Sequence, residues 1–213
     1  MTLSGPAPGA VAAQPATAPA LPAPADGVPP RGVPAEEFTD VFTRRLLRLD
    51  GSTTELLEER LGRRLRLFVT AQSTAAAPPS ASGRVPGGSR RLHEPHADEP
   101  YLIRRSELIG PRGMVVSRNL VTGRLPGDPR LAGAVTGRTV PLGVSAAVRC
   151  AAPRRVPLEI ALCPWPGSAP AVSAVRRVYL LSLADEAPLY VEERFNPAVV
   201  PSVRTARTPR PPR

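Results

Sequence analysis

Apolar residues in the first half of the chain repeat with two different periods. Over residues 36–49, Phe38, Val41, Phe42, Leu46 and Leu49 recur at helical spacing, which predicts an amphipathic helix that Asp50 and Gly51 then stop. Ser52-Thr53-Thr54-Glu55 has the S-x-x-E form of a capping box, in which a hydroxyl and a carboxylate satisfy free N–H groups at a helix start. Leu56, Leu57 and Leu61 supply the buried face of that second helix, and Gly62 is placed to end it. The period then changes to two. Leu65, Leu67 and Val69 alternate with Arg64, Arg66 and Phe68 as a half-buried strand.

Residues 73–100 are rich in Ala, Pro, Ser and Gly, carry no period, and read as a long loop inserted in the domain. Three strands follow it. Over 102–108 one face carries Leu102, Arg104, Ser106 and Leu108. Over 114–120 it carries Met114, Val116, Arg118 and Leu120. Over 189–195 it carries Leu189, Val191, Glu193 and Phe195, with Tyr190, Glu192 and Arg194 on an ordinary solvent face. Arg104, Arg118 and Glu193 thus stand where the period assigns the apolar side. An unpaired buried charge costs several kcal/mol, so the three must meet one another or a bound anion. The first case is a structural salt bridge. The second is a closed pocket for a small carboxylate.

Composition bounds the rest. Residues 1–36 form an Ala/Pro tract with no aromatic residue, and 204–213, RTARTPRPPR, form an Arg/Pro tail; both read as disordered, which leaves 37–203 as one domain. The chain of 213 residues has no Lys, so its net charge of +10 resides entirely on Arg, which excludes a Lys nucleophile, a Schiff base and a P-loop. The domain itself keeps 23 Arg against 16 acids, so the positive charge is not a property of the tails. A nucleic-acid binder would interleave aromatic platforms with its cations, whereas 1 Trp, 3 Tyr and 4 Phe are scattered here without a helix-turn-helix, zinc-finger or RNP pattern. The charge therefore points to a small anion and not to nucleic acid.

Cys150 and Cys163 make no disulfide framework, no apolar run reaches the roughly 18–20 residues of a membrane helix, and the N-terminus lacks a basic segment before an apolar one. A cytoplasmic protein with no membrane partner is the expectation. His93 and His96 form H-E-P-H, but Pro95 prevents a helix that would put both imidazoles on one face and no third ligand is suitably spaced, so no metal site is expected.

The DGSTTELLEE turn, the LIRRSEL strand, VVSRNLVTGRLP, the VPLG turn and the terminal PLYVEERF strand occur in an order and spacing that resemble the chorismate pyruvate-lyase-like family, and its actinobacterial branch more than its short enterobacterial form. The resemblance runs from about residue 50 to 197. It implies an α+β domain with an antiparallel sheet of about six strands flanked by helices, and a ligand enclosed beneath helical flaps. It further implies cofactor-free cleavage of chorismate to 4-hydroxybenzoate and pyruvate; a monomer is a separate expectation. By the same resemblance Arg104 binds the ring carboxylate, Glu193 is the family glutamate, Arg118 is the arginine of the next strand, the backbone of Leu142 belongs to the site, and Thr53 stands where some members carry Met. The 153–170 segment has no clear counterpart.

The chemistry of the residues fits that reaction. Chorismate is a dianion whose ring becomes aromatic when the enolpyruvyl group leaves C3 and a proton leaves C4. Arg104 would clamp the ring carboxylate bidentately, Arg118 would neutralise the other carboxylate, and Glu193 would donate a proton to the departing group. Two rivals belong to other classes: a non-catalytic binding module for an aromatic carboxylate, on a related fold, and a basic interaction protein acting through its Arg-rich tail.

Overall fold

A computed structural model describes residues 32–75 and 100–205. The expectations for 1–31, for 76–99 with His93 and His96, and for 206–213 lie outside the described residues. The fold is α+β. Six strands, β1 (Arg66–Ala75), β2 (Tyr101–Ile109), β3 (Val115–Arg124), β4 (Arg154–Pro164), β5 (Ser173–Ser182) and β6 (Leu189–Phe195), form one sheet in the order β1-β2-β3-β6-β5-β4. Every neighbouring pair is antiparallel. Four short helices pack on one face: α1 (Val41–Leu47), α2 (Thr53–Leu61), α3 (Pro129–Thr136) and α4 (Ala146–Cys150). Leu46, Leu56 and Leu57 bury against Leu108, Val116 and Phe195 at one end, and Leu131, Val135 and Val148 against Leu102, Leu181 and Leu189 at the other. No helix among the described residues is long and apolar enough to cross a membrane. Cys150 and Cys163 are both free thiols.

Several boundaries differ from the sequence reading. The single helix expected over 36–49 is divided, because Asp40 accepts a hydrogen bond from the Thr43 amide at 2.7 Å and starts α1 as an N-cap. Ahead of it, Phe38 bridges to Arg204, and the Val33 amide donates to the Ile160 carbonyl at 2.7 Å. Residues 32–36 and 204–205, assigned to the tails, are therefore part of the folded body. The capping box is half formed: the Glu55 amide donates to Ser52 Oγ at 3.2 Å, but the Glu55 carboxylate pairs with Arg149 at 2.7 Å. Gly62 does end α2, at a φ of +62° that suits glycine. Residues 73–75, read as loop, continue β1 opposite Ile103, Leu102 and Tyr101. Residues 154–164, the Pro-rich stretch, form β4, an edge strand, where Pro157 costs no central ladder bond.

The face of the sheet away from the helices is less exposed than alternation suggests. Tyr190 packs with Val178 and Leu180, and Glu192 lies between Arg176, at 3.5 Å, and Arg194, at 2.6 Å. Both were expected on an ordinary solvent face, and both are buried.

Candidate functional site

A cavity of about 60 Å³ lies on the helical face of the sheet, closed by the start of α2 and the turn through Pro141, Leu142 and Gly143. Gly143 sits so close to α2 that a Cβ there would lie 2.9 Å from Ser52 Oγ. Four of the five residues anticipated from the sequence, Arg104, Glu193, Leu142 and Thr53, line this cavity. They come from β2, β6, the 141–143 turn and the first position of α2.

Strand alternation places Arg104 inward, 2% exposed, and Arg105 outward. Its Nη1 donates to the Val135 carbonyl and its Nη2 to the Gly137 carbonyl at 2.6 Å, while Gln72, directly opposite on β1, donates to Thr136 O at 3.1 Å. Together the two side chains satisfy carbonyls that the last turn of α3 leaves without helical partners. Arg104 Nε is buried with no hydrogen-bond partner, and no carboxylate among the described residues pairs with this guanidinium. Burial, reinforced by the nearby Arg138, lowers its pKa.

Glu193 is also buried, and its register is the expected one, since Glu192 faces away from the cavity. Its partner is Arg177 on β5, a residue outside the strands read from the sequence. Arg177 Nε and Nη2 donate to Glu193 Oε2 at 3.2 and 2.8 Å, and Nη2 also donates to Thr53 Oγ1 at 2.7 Å. Thr53 Oγ1 in turn lies 3.3 Å from Oε2, and the Tyr179 hydroxyl donates to Oε1 at 3.3 Å. A further Arg177 bond, from Nη1 to Leu46 O at 2.7 Å, ties this cluster to the end of α1. Burial works against the Arg177 charge, yet Glu193 and then Tyr179 outweigh it and raise its pKa. Burial, with the Glu193 charge beside it, pushes the Tyr179 hydroxyl well up, so the phenol stays protonated. Period-two alternation was the signal available for Arg177: Val175, Arg177, Tyr179 and Leu181 share a face in β5.

Arg118 is not in the site. Ser117 pairs with Leu108 but Val115 with Ile109, so Val116 is the extra residue of a β-bulge. The bulge inverts the phase of the rest of β3. Ser117, Asn119 and Val121 face the helices, whereas Arg118 pairs with Glu107 at 3.0 Å on the opposite face, 5.4 Å from the Trp165 ring centroid. Asn119, directly across from Glu193, holds the cavity position expected of Arg118.

A second cavity-lining guanidinium comes from the opposite edge of the sheet. Arg155 on β4 donates through Nη1 to the Asp50 carbonyl and lies 5.7 Å from the Tyr179 ring centroid, and its Nε is buried without a partner. Since Arg177 neutralises Glu193, Arg104 and Arg155 remain as two cations on the wall without carboxylate partners among the described residues. Among those residues, no group of His, Cys, Asp and Glu is placed to hold a metal ion.

Compared with known proteins, the chain matches no family model and no curated protein sequence.

Proposed function

We propose that the protein is a chorismate pyruvate-lyase, forming 4-hydroxybenzoate and pyruvate without a cofactor. The observation that carries the reading is the charge of the cavity: two uncompensated guanidiniums, Arg104 and Arg155, beside a carboxylate already neutralised by Arg177. That is the complement of a small dianion. Arg104 has the donors for one carboxylate, because its bonds to the Val135 and Gly137 carbonyls use one hydrogen from each Nη and leave Nε–H without a partner and one hydrogen on each Nη. Between the ends, Val121, Val191 and Leu181 offer an apolar floor for a ring.

In this reading Glu193 is a proton acceptor, not the donor anticipated from the sequence. Both Arg177 nitrogens and Thr53 occupy Oε2, while Oε1 meets only the Tyr179 hydroxyl and keeps acceptor capacity. It takes the proton from C4 of chorismate. The C4–H electron pair becomes a ring π bond as the C3–O bond breaks, and the oxygen leaves with its pair as the enolate of pyruvate. Protonation of the enolate at carbon gives pyruvate, and the ring is left aromatic. Arg155, the second guanidinium on the wall, would stabilise the negative charge that develops on the departing oxygen.

The cavity is smaller than the roughly 150 Å³ void that admits benzene in an engineered core. Entry of chorismate therefore requires the α2 start and the 141–143 turn to part. One observation favours a second reading, a binding module for an aromatic carboxylate: Glu193 is held in a structural ion pair, which binding alone would accommodate. Incubating the purified protein with chorismate and separating the products by chromatography decides between them. Stoichiometric 4-hydroxybenzoate and pyruvate are expected. Tight binding of 4-hydroxybenzoate with chorismate left intact beyond its spontaneous decay would overturn the lyase.

A further inference from the structure

We infer that Arg155 is the anchor for the second carboxylate of the substrate, the one on the enolpyruvyl group, and so separates substrate from product in a site where Arg104 holds the carboxylate common to both. The inference rests on the lyase reading. It starts from the sheet order: β2 and β4 are separated by β3, β6 and β5, so four strand spacings, roughly 19 Å of backbone, lie between Arg104 and Arg155. Both residues nevertheless line the same cavity, because two long side chains reach inward from opposite sides across the floor of Val121, Val191 and Tyr179. The space between them has a cation at each end and Glu193 between. A ligand with one carboxylate satisfies one end only.

Three further features assign the second carboxylate to Arg155. Arg118, the other arginine considered for it, lies on the far face and is paired with Glu107. Arg177 is committed to Glu193, Thr53 and the Leu46 carbonyl. Arg155 donates to the Asp50 carbonyl and lies against Tyr179, but its buried Nε has no partner and no carboxylate among the described residues pairs with it, so a carboxylate would complete it.

The product, 4-hydroxybenzoate, lacks this carboxylate, and that provides the test. Arg155→Gln should raise the KM for chorismate roughly 10- to 100-fold, the worth of a charge-assisted hydrogen bond. The affinity for 4-hydroxybenzoate, measured by calorimetric titration, should change less than about threefold. Arg104→Gln should weaken both. Arg155→Lys keeps the charge and loses the planar fork, so an intermediate KM is expected; it carries the test if Arg155→Gln fails to fold. An active wild type whose Arg155 variants keep the normal KM, or lose product affinity in parallel, would overturn this role while leaving the lyase intact. A wild type with no turnover of chorismate overturns the lyase reading and this inference with it.

Discussion

Arg177 and Glu193 face each other across the β5–β6 ladder, and two nitrogens of the arginine donate to the same carboxylate oxygen. The side chains are 4% and 10% exposed, so neither charge has water to replace the other. Removing one partner strands the other in the interior. Glu193→Gln and Arg177→Met are each expected to lower stability by about 3–5 kcal/mol in urea denaturation, and the double variant by clearly less than their sum. Additive losses would show that the pair is not coupled. In single turnover, Glu193→Gln should also lose about 10²- to 10⁴-fold in rate if the carboxylate takes the C4 proton. A folded variant with normal turnover would remove Glu193 from the chemistry.

The two faces of β2 and β3 give a second expectation. Arg104→Ala should abolish measurable 4-hydroxybenzoate binding, while Arg105→Ala and Arg118→Ala leave it within about twofold, since neither side chain reaches the cavity. Arg118 pairs with Glu107 at 37% side-chain exposure, so its loss should cost at most about 1 kcal/mol of stability. Titrations of the three variants check both points. Equal binding losses at Arg104 and Arg118 would contradict the bulge at Val116.

Alternation alone identified Arg104 and Glu193 in their strands, because both sit in unbroken runs with apolar residues two positions away. It failed at Arg118 for a specific reason. A bulge leaves the local hydrophobic pattern intact on each side and changes only the phase between them, and nothing in Met-Val-Val-Ser-Arg marks Val116 as the inserted residue. The helix over 36–49 failed differently: its apolar spacing persists through Asp40, and the capping side chain, not the spacing, fixes where α1 begins. Arg155 was obscured by its neighbours. Pro153 and Pro157 suggest irregular chain, and only an edge position in the sheet reconciles them with a strand.

Alkaline stability reports on two buried phenols. Tyr179 is shifted upward by burial and by Glu193, and Tyr190, on the other face, is pushed up to about 12 by burial and by Glu192, from an ordinary value of 10.0. A raised folded-state pKa means that the folded protein retains protons the unfolded chain has released. The contribution is therefore fully present below pH 10 and disappears as pH rises through the folded values. For Tyr190 the rise from 10.0 to about 12 corresponds to about 2–3 kcal/mol. Urea midpoints should fall from about pH 10 to 12, and the fall should be shallower in Tyr190→Phe. An unchanged slope in that variant would show that its hydroxyl titrates normally.

The closure of the cavity depends on the approach of Gly143 to Ser52. A Cβ at Gly143 would lie 2.9 Å from Ser52 Oγ, the atom that accepts the Glu55 amide and caps α2, but 3.6 Å from Ser52 Cβ, which is an ordinary contact. Gly143→Ala is expected to cost about 1–3 kcal/mol by displacing the hydroxyl or the turn. Ser52→Gly removes that obstacle at a cost of only a few tenths of a kcal/mol, because glycine is itself a tolerated N-cap. In the Ser52→Gly background the cost of Gly143→Ala should therefore fall below its value in the wild type. Denaturation of the two single variants and the double variant measures the coupling. The same substitutions bear on the site, because Thr53 adjoins Ser52 and Leu142 adjoins Gly143 on the cavity wall. Gly143→Ala alone should weaken 4-hydroxybenzoate binding, and Ser52→Gly should restore part of it. Additive stability effects with no recovery of binding would mean that the α2 start and the turn are not held by this contact.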